Sequence, residues 1–587
     1  MTRLLLIVSL GCWVSVLAQD AAPGSDVVLR ALTDELERSR ELRVVSLEQP
    51  YYIEYGIHET ETFSASATLG ALNMAQAGRV RLPRVQVRVG DYAYDNGNYV
   101  LSDYAFSSRY DLGGCPIDDN YAAIRQYFWL ATDSAYKSAL EAIARKRASQ
   151  KNVTITDPLP DFSKVEPVTL SLSVPRRKVD EEAWKSRVRA LSALFASQQG
   201  IIGSSVEYYS GQGFYYLVTS EGTRLRVPES SQYLQARATA LAPDGMTLRD
   251  STGFYAVDAN SLPAEGDLRR GIEAVIGNLG ALLRAPVAEP YTGPVLFEPA
   301  AAAQLMAEVL GRSFALRRRP VSEPGRTLSF VASELEGRLG SRILPEWMEV
   351  VDDPTAADWR GQRLLGQYPV DLEGVIPKPL TLVDKGLLRN YLSTRQPVKG
   401  ALESNGRARL LGGFGANAAS FSNLFVRASE TSTLDDLKKK LIEIAVHREK
   451  PYGLLVRKMD FPSAASVPEA QRLLAAVAQD GASARAVSLP VLVYRVYPDG
   501  REELVRGLRF KELTLRSLRD ILAAGGEPAV FNYLENGAPF ALLGAASYVA
   551  ESSVVSPGLL FEELQLVKAH EDMPRLPIVP PPANPAH

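Results

Sequence analysis

A long run with strand character lies in the first part of the chain and most constrains its fold. From Tyr51 to Tyr104, β-branched and aromatic residues alternate with polar ones, as in Tyr52-Ile53-Glu54-Tyr55. This period of two is typical of strands with one buried face. Apolar residues at helical spacing precede the run at Asp26–Leu42 and follow it at Ala122–Arg147. Strands flanked in this way by helices predict an α+β fold that begins with an α/β unit.

The chain divides into several predicted domains because 587 residues are too many for one ordinary core. Proline-containing polar stretches at Ser149–Asp161 and Ala285–Gly293 predict linkers. We therefore predict a signal peptide and four further segments: residues 1–18, an N-terminal α+β domain at 19–160, a central antiparallel meander with flanking helices at 161–287, a C-terminal β-rich domain at 288–572, and a proline-rich tail at 573–587.

The central segment carries strand patterns separated by glycine-containing turns, between two predicted helices at Asp180–Gln199 and Gly266–Leu283. The predicted strands are Ser205–Ser210, Phe214–Thr219 and Thr223–Val227, followed by two more that flank Pro243-Asp244-Gly245. The C-terminal segment contains many short strands and four predicted helices, at Glu298–Leu316, Leu434–Val446, Pro468–Ala478 and Leu515–Ala524.

The N-terminus predicts export. Arg3 precedes a mostly apolar run from Leu4 to Leu17, and Val16-Leu17-Ala18 resembles a cleavage site. The run is short for a membrane span, so we expect a periplasmic or extracellular protein without a stable span after cleavage. An uncleaved anchor and a lipoprotein with Cys12 as the lipidated residue remain alternatives.

Composition excludes some classes of function and leaves few side chains for metal chemistry. The formal net charge of -3 gives no basic excess that would indicate nucleic acid binding. After cleavage Cys115 would stand alone, and we interpret it as a structural or incidental thiol. The four histidines, which a zinc site would normally use in regularly spaced pairs, are widely separated: His58, His447, His570 and His587. We interpret His58 as a strand residue and His447 as the end of a helix.

The C-terminal segment resembles the TldD/PmbA metallopeptidase family over about 280 residues. Several segments match in order: Gly293-Pro294-Val295-Leu296-Phe297-Glu298-Pro299 with its Ala-rich helix, Ile343-Leu344-Pro345-Glu346-Trp347, Val350-Val351-Asp352-Asp353-Pro354, Asp371-Leu372-Glu373-Gly374 with Leu380–Leu392, Ser422-Asn423-Leu424-Phe425-Val426, Val505-Arg506-Gly507 with Leu515–Ile521, and Ser556–Leu564. The resemblance implies a C-terminal domain in which the motif helix is buried.

Active members of that family carry His-Glu-x-x-x-His on this helix and a third ligand from a cysteine. Two histidines hold zinc, and the glutamate serves as general base toward the metal-bound water. The matching positions here are Ala307, Glu308 and Arg312, and no cysteine follows Cys115. Alanine cannot ligate a metal, and arginine brings a fixed positive charge. The resemblance therefore implies a member without its zinc ligands, with Glu308 at the general-base position and no cofactor expected.

Three functions are compatible with this pattern. The chain is expected to be a non-catalytic subunit that binds peptides and pairs with a catalytic homologue or with itself as a dimer. The alternatives are an active peptidase with a displaced metal site, and an exported binding or structural protein that retains only the fold. We also predict that Glu308 and Arg312, at i,i+4 spacing, form a charge pair in place of the metal.

Overall fold

The computed structural model describes residues 26–41, 47–100, 115–151, 158–173, 178–198, 200–257, 261–325, 330, 332–411, 416–460, 487–536 and 549–569. The predicted signal peptide, Cys12, the helix at Pro468–Ala478, His570, His587 and the tail at 573–587 lie outside the described residues. No helix in the described ranges is both long and apolar enough to cross a bilayer.

Helices α1 to α4 belong to the first half of the chain: α1 Val27–Ser39, α2 Tyr121–Gln150, α3 Glu181–Ala193 and α4 Glu265–Arg284. Asp26 caps α1 by accepting from the N–H of Leu29, and Asp180 caps α3 by accepting from the N–H of Ala183. Glu181 and Glu182 fall in the first turn of α3, where negative charge favours the helix dipole. The sequence-based helices therefore exist, with ends shifted by a few residues.

Six strands of the first half form one sheet with the order β2-β1-β4-β5-β3 and with β6 also paired to β5. Their bounds are β1 Pro50–Thr68, β2 Ala71–Val89, β3 Thr169–Ser171, β4 Ile201–Thr219, β5 Arg224–Leu241 and β6 Thr247–Ala256. Strand β1 pairs with β4 across the predicted boundary at residue 160, from Glu54 opposite Thr219 to Ala67 opposite Val206. One sheet thus spans the segments predicted as separate N-terminal and central domains.

Strand β4 is continuous where the sequence predicts a break at Gly211–Gly213. Tyr209 lies over Gly211, since a Cβ atom at that glycine would be 2.7 Å from the tyrosine hydroxyl. A Cβ at Gly213 would lie 1.6 Å from the carbonyl oxygen of Glu59 on the neighbouring strand. These glycines allow close approach inside a strand and do not form a turn, which corrects the predicted division into two strands.

The second half folds around an eleven-stranded sheet with the order β12-β11-β8-β15-β21-β7-β16-β17-β18, to which β19 and β20 add by pairing with β21. Two smaller pairs are β9 with β10 and β13 with β14. The bounds are β7 Tyr291–Phe297, β8 Met348–Asp352, β9 Asp358–Trp359, β10 Gln362–Arg363, β11 Leu380–Asp384, β12 Leu387–Leu388, β13 Ala408–Leu411, β14 Asn417–Ala419, β15 Asn423–Ala428, β16 Gly453–Met459, β17 Pro490–Val496, β18 Glu502–Val505, β19 Leu508–Lys511, β20 Ile521–Asn536 and β21 Val549–Lys568.

Helices α5 (Pro299–Leu305) and α6 (Leu434–His447) complete this half. Helix α5 lies in the largest apolar core, and α6 covers a smaller cluster that includes Leu437 and Leu441. The helix predicted at Leu515–Ala524 is wrong in its second part, because only Leu515–Asp520 forms a short 3₁₀ turn before β20 begins. Pairing of β20 with β21 overrides the local helical pattern. The molecule is α+β as predicted.

The first sheet has two different faces. One face packs against α1 to α4 and contributes to two apolar cores. The opposite face meets the C-terminal half: Arg84 donates to Asn417 at 3.0 Å and to the carbonyl oxygen of Leu372 at 3.0 Å. Tyr215 donates to the same carbonyl at 2.7 Å. Polar side chains on this second face therefore lie between the two halves of the molecule.

Candidate functional site

The helix that carries the motif positions changes its winding within the motif. Regular α-helix ends at Leu305, a wide π-type turn covers Met306–Leu310, and a 3₁₀ turn covers Gly311–Phe314. In an α-helix of about 3.6 residues per turn, positions five apart face different directions. A turn with i→i+5 hydrogen bonds brings such positions closer to one face, and these turns occur frequently at functional sites. The local backbone would therefore let side chains at positions 307 and 312 point to the same side of the helix.

The side chains at those two positions do not suit a metal. Ala307 is 1% exposed and belongs to the main apolar core. Arg312 is half-buried and carries a permanent positive charge. Among the described residues, no three His, Cys, Asp or Glu side chains lie close enough to share an ion. The residues that are present at the motif therefore do not fit the zinc that the family motif would hold.

Glu308 is fully engaged as an acceptor. Ser488 donates to its carboxylate from the backbone N–H at 2.8 Å and from Oγ at 2.7 Å, and Gln304 donates from Nε2 at 2.9 Å. These contacts engage the carboxylate without Arg312, and the Glu308–Arg312 pair stays a prediction. Glu308 thus connects the motif helix with Ser488, which lies just before β17. Ser488 is 180 positions away in sequence, and no spacing rule could have found it.

A cleft opens beside the same helix. It has a volume of ≈ 370 Å³ and lies between the edge of β6, the start of α5, β16 and β20. Ala300 and Gln304 contribute the helix wall, whereas Tyr255 and Phe531 contribute aromatic surface from two different sheets. Gln304 also donates to the carboxylate of Glu308, so one residue connects the cleft with the general-base position. The i,i+4 spacing of Gln304 and Glu308 is the only part of this arrangement visible in the sequence.

The cations of the cleft are engaged by neighbouring acids. Arg457 contacts Glu298 at 3.0 Å and Glu502 at 2.9 Å. Lys458 contacts Asp250 at 2.5 Å and donates to the carbonyl oxygen of Ser251 at 2.7 Å. The carbonyl of Ser251 thus accepts from a residue that lines the cleft. The cleft presents strand backbone, amides and aromatic rings, with its positive charges neutralised.

The Asp371-Leu372-Glu373-Gly374 segment shapes a buried turn. One oxygen of Asp371 accepts from the N–H groups of Glu373 and Val375, each at 2.9 Å, and the other accepts from Ala408 at 3.0 Å. Burial and the nearby Glu373 carboxylate raise the pKa of Asp371 to about 7. Gly374 has φ +82°, a conformation that favours glycine. The acidic residues of this segment serve the fold.

Glu373 links the turn to Arg395, which in turn contacts the first half of the molecule. Its carboxylate accepts from Asn417 at 3.0 Å and from the backbone N–H of Arg395 at 2.6 Å. The Arg395 guanidinium forms a two-pronged pair with Glu221, at 2.7 and 2.8 Å, and donates twice to the carbonyl oxygen of Ser163. Glu221 lies in the turn between β4 and β5, so this network joins the two halves of the molecule.

The remaining histidine and cysteine predictions concern residues outside the cleft. His58 lies in β1, and His447 is the last residue of α6, as predicted. Cys115 is half-buried and forms no disulfide within the described residues. The structure brings neither histidine to Glu308.

Comparison with known proteins identifies the C-terminal part. Residues 290–460 match the PmbA/TldA metallopeptidase C-terminal domain. A metalloprotease of Methanothermobacter thermautotrophicus is 27% identical over 220 residues, which is 36% of this chain and 44% of the relative. A metalloprotease of Methanocaldococcus jannaschii is 30% identical over 113 residues, 18% of this chain and 23% of the relative. The chain thus spans less than half of these relatives' lengths.

Solved structures share the fold over most of the chain. TldE from Thermococcus kodakarensis aligns with a TM-score of 0.54 and 14% identity, covering 92% of this chain and 100% of that one. A candidate modulator of DNA gyrase from Thermotoga maritima aligns with a TM-score of 0.53 and 15% identity, covering 88% and 96%. Residues 290–460 thus match the PmbA/TldA metallopeptidase C-terminal domain, and most of the chain shares the fold of TldE.

Proposed function

We propose that this chain is an exported, metal-free member of the TldD/PmbA family that binds peptides without cutting them. The main support for the proposal is that the motif positions of one helix are buried while the cleft beside the same helix is open. The ligand position Ala307 is sealed in the core and the Glu308 carboxylate is held by three donors, whereas the cleft beside Ala300 and Gln304 is open. A chain that has lost the metal ligands but keeps the adjoining cleft retains recognition without hydrolysis.

The edge of β6 supports an extended peptide as the ligand. In the described part of the chain β6 pairs with β5 alone. The carbonyl of Ser251 accepts from Lys458, which lines the cleft, and alternate residues of a strand turn their backbone groups the same way, so Gly253 presents its backbone there as well. Peptides bind such edges by adding a strand, with side chains entering neighbouring pockets. Tyr255 and Phe531 supply apolar surface for those side chains.

Binding is tested with C-terminally labelled hexapeptides and the purified chain, by fluorescence anisotropy. Ala300 is exposed at the cleft wall, so Ala300→Trp should fill the cleft without disturbing the core and weaken binding about tenfold or more. Ala122→Trp places the same bulk on an exposed position of α2 and should leave binding unchanged. Equal affinities of wild type and Ala300→Trp would show that the peptide does not bind in the cleft. Preference for oligosaccharides over peptides would favour the fold-only alternative.

Catalysis is tested on the same mixtures by mass spectrometry. The proposal predicts intact peptides with or without a chelator. Cleavage that a chelator abolishes would establish the alternative of a displaced metal site.

The proposed partner is a catalytic homologue or a second copy of this chain. Purification from the native host tests this directly. A partner with His-Glu-x-x-x-His supports the heteromer, a dimer of this chain alone supports self-association, and a monomer contradicts both.

A further inference from the structure

The cleft beside α5 has a deep apolar end. Among the residues that line its ≈ 370 Å³, Ala301 and Met459 are each 2% exposed, whereas Ala300 is exposed at the mouth. The methyl groups of Ala300 and Ala301 are short, so the helix wall leaves open a space that longer side chains would fill. Phe531 of β20 lines the same cleft. The deep end therefore suits a bulky apolar group brought by a ligand.

Two aromatic rings at the cleft are held in place by their neighbours. The ring of Tyr255 lies along β6, since a Cβ atom at Gly253 would be 2.5 Å from its hydroxyl. Gln235 donates to that hydroxyl at 3.1 Å. The ring of Phe531 stacks on Tyr533 with centroids 5.2 Å apart. Fixed rings favour a further ring placed against them over an aliphatic group of similar size.

Gln304 adds a hydrogen-bond acceptor at the deep end. The residue is 4% exposed and lines the cleft. Its Nε2 donates to the carboxylate of Glu308 at 2.9 Å and to the carbonyl oxygen of Asp460 at 2.5 Å. These bonds use both hydrogens of the amide nitrogen, and they fix which way the amide points because both partners are acceptors.

The other end of the same amide is unused. Across the described residues, Oε1 of Gln304 accepts no hydrogen bond. An acceptor that is buried in this way loses free energy when no donor reaches it. A site with such an acceptor therefore discriminates in favour of a ligand that brings a donor.

The charges at the cleft disfavour an acidic ligand. Arg457 contacts Glu298 and Glu502, and Lys458 contacts Asp250. Three carboxylates thus lie against two cations. A carboxylate on the ligand would lose its hydration while facing this excess of negative charge. An uncharged side chain avoids that cost.

We propose that the cleft binds the side chain of a tyrosine in the peptide, with its ring against Phe531 and Tyr255 and its hydroxyl donating to Oε1 of Gln304. The phenol is uncharged at neutral pH and carries one donor, which matches the lining and its acceptor. Phenylalanine fits the same apolar surface but leaves the acceptor unpaired. The inference rests on the proposed peptide binding and adds which side chain the peptide carries.

The test uses C-terminally labelled hexapeptides of glycine and alanine with one variable residue, tyrosine, phenylalanine or aspartate, and anisotropy on the full chain. The phenylalanine peptide should bind about fivefold more weakly than the tyrosine peptide, because it lacks one hydrogen bond. The aspartate peptide should bind about tenfold or more weakly than the phenylalanine peptide, because it loses the apolar contact and brings a negative charge.

Variants of the chain assign each part of the difference to a residue. Gln304→Met keeps the length of the side chain but removes the acceptor, so the tyrosine and phenylalanine peptides should bind equally. Phe531→Leu should weaken both of these peptides about threefold or more and keep their ratio. Trp129→Leu, at an exposed position of α2, is the control and should leave both affinities unchanged.

Equal binding of the tyrosine and phenylalanine peptides to wild type would overturn the inference while peptide binding itself stands. This comparison needs no variant, so it decides the question even when Gln304→Met fails to fold. A tyrosine preference that persists in folded Gln304→Met would also overturn the assignment to this amide. Absence of binding by every peptide would overturn the proposed function and the inference with it.

Discussion

At the scale of single residues, the Glu308 carboxylate stabilises the fold. Glu308, which the sequence predicts at the general-base position of the motif, accepts from Ser488 twice and from Gln304 once. The loss of ligands at Ala307 and Arg312 is visible in the sequence because it depends only on residue type. The partners of Glu308 are not, because Ser488 reaches it through the tertiary fold. The local i,i+4 rule selected Arg312 and could not have found Ser488.

The first prediction concerns this carboxylate. Glu308→Gln replaces one acceptor oxygen with an amide donor opposite the N–H or hydroxyl of Ser488, and should lower the free energy of unfolding by about 1–3 kcal/mol. Urea denaturation followed by circular dichroism measures it. Glu443→Gln, at an exposed position of α6, is the control and should match wild type. An unchanged midpoint for Glu308→Gln would show that the carboxylate has no structural use.

The second prediction concerns Arg395, which is 0% exposed and holds Glu221 with two parallel hydrogen bonds. Lysine cannot reproduce that fork or the paired donation to Ser163. Arg395→Lys should destabilise the protein by about 3 kcal/mol or more, as expected when a buried charge pair is broken. The exposed pair of Arg145 with Glu141 and Glu323 provides the control, since Arg145→Lys should leave the urea midpoint unchanged. If Arg395→Lys and Arg145→Lys shift the urea midpoint equally, the buried network stabilises the protein no more than an exposed ion pair does.

At the scale of elements, local patterns predicted which segments are helical or extended but not how strands continue. The capped helices α1 and α3 follow from Asp26 and Asp180 and their apolar spacing. Gly211 and Gly213 suggested a turn because glycine usually punctuates strands. Both positions instead need a residue without a side chain. Tyr209 of the same strand lies over Gly211, and the Glu59 carbonyl of the neighbouring strand lies against Gly213. The helix predicted beyond Asp520 failed for the same kind of reason.

The third prediction compares two glycines of the same strand. Gly213→Ala forces a Cβ against the Glu59 carbonyl at 1.6 Å, whereas a Cβ at Gly203 meets nothing within 4 Å. Gly213→Ala should cost about 2–3 kcal/mol or more through overpacking, and Gly203→Ala should change stability by about 0.5 kcal/mol or less. Thermal unfolding of both variants decides it. If the two variants behave alike, β4 is not continuous through Gly213.

At the scale of the whole molecule, one sheet and one buried network unite segments that the sequence suggested as separate domains. The segment Ser149–Asp161 is a predicted linker, but β1 and β4 pair across it. Arg84, which contacts Asn417, and Arg395, which contacts Glu221, then tie that sheet to the C-terminal half. These contacts join residues 333 and 174 positions apart, and a single sequence has no periodicity that reveals them.

The fourth prediction is a pH dependence that arises at this junction. The folded state raises the pKa of Asp371 from 3.8 to about 7, because of burial and of Glu373. The folded state therefore binds a proton that the unfolded chain has released. This contribution to stability is fully present below pH 3.8 and is lost as the pH rises through about 7.

Asp371→Asn should consequently show a smaller decline in urea midpoint between pH 4 and 7 than wild type. Asp133→Asn removes an exposed carboxylate that pairs with Lys137 and should keep the wild-type slope. A slope that is the same in all three proteins would exclude Asp371 as the titrating group.

Zinc content tests the central claim most directly, namely that the motif helix has become structural while the cleft remains. The purified chain is dialysed against zinc and then against metal-free buffer, and bound metal is measured by plasma mass spectrometry. The emptied ligand positions predict far less than one zinc per chain, with no difference between wild type and Glu308→Gln. One zinc per chain that Glu308→Gln abolishes would contradict the claim and establish a metal site at this helix.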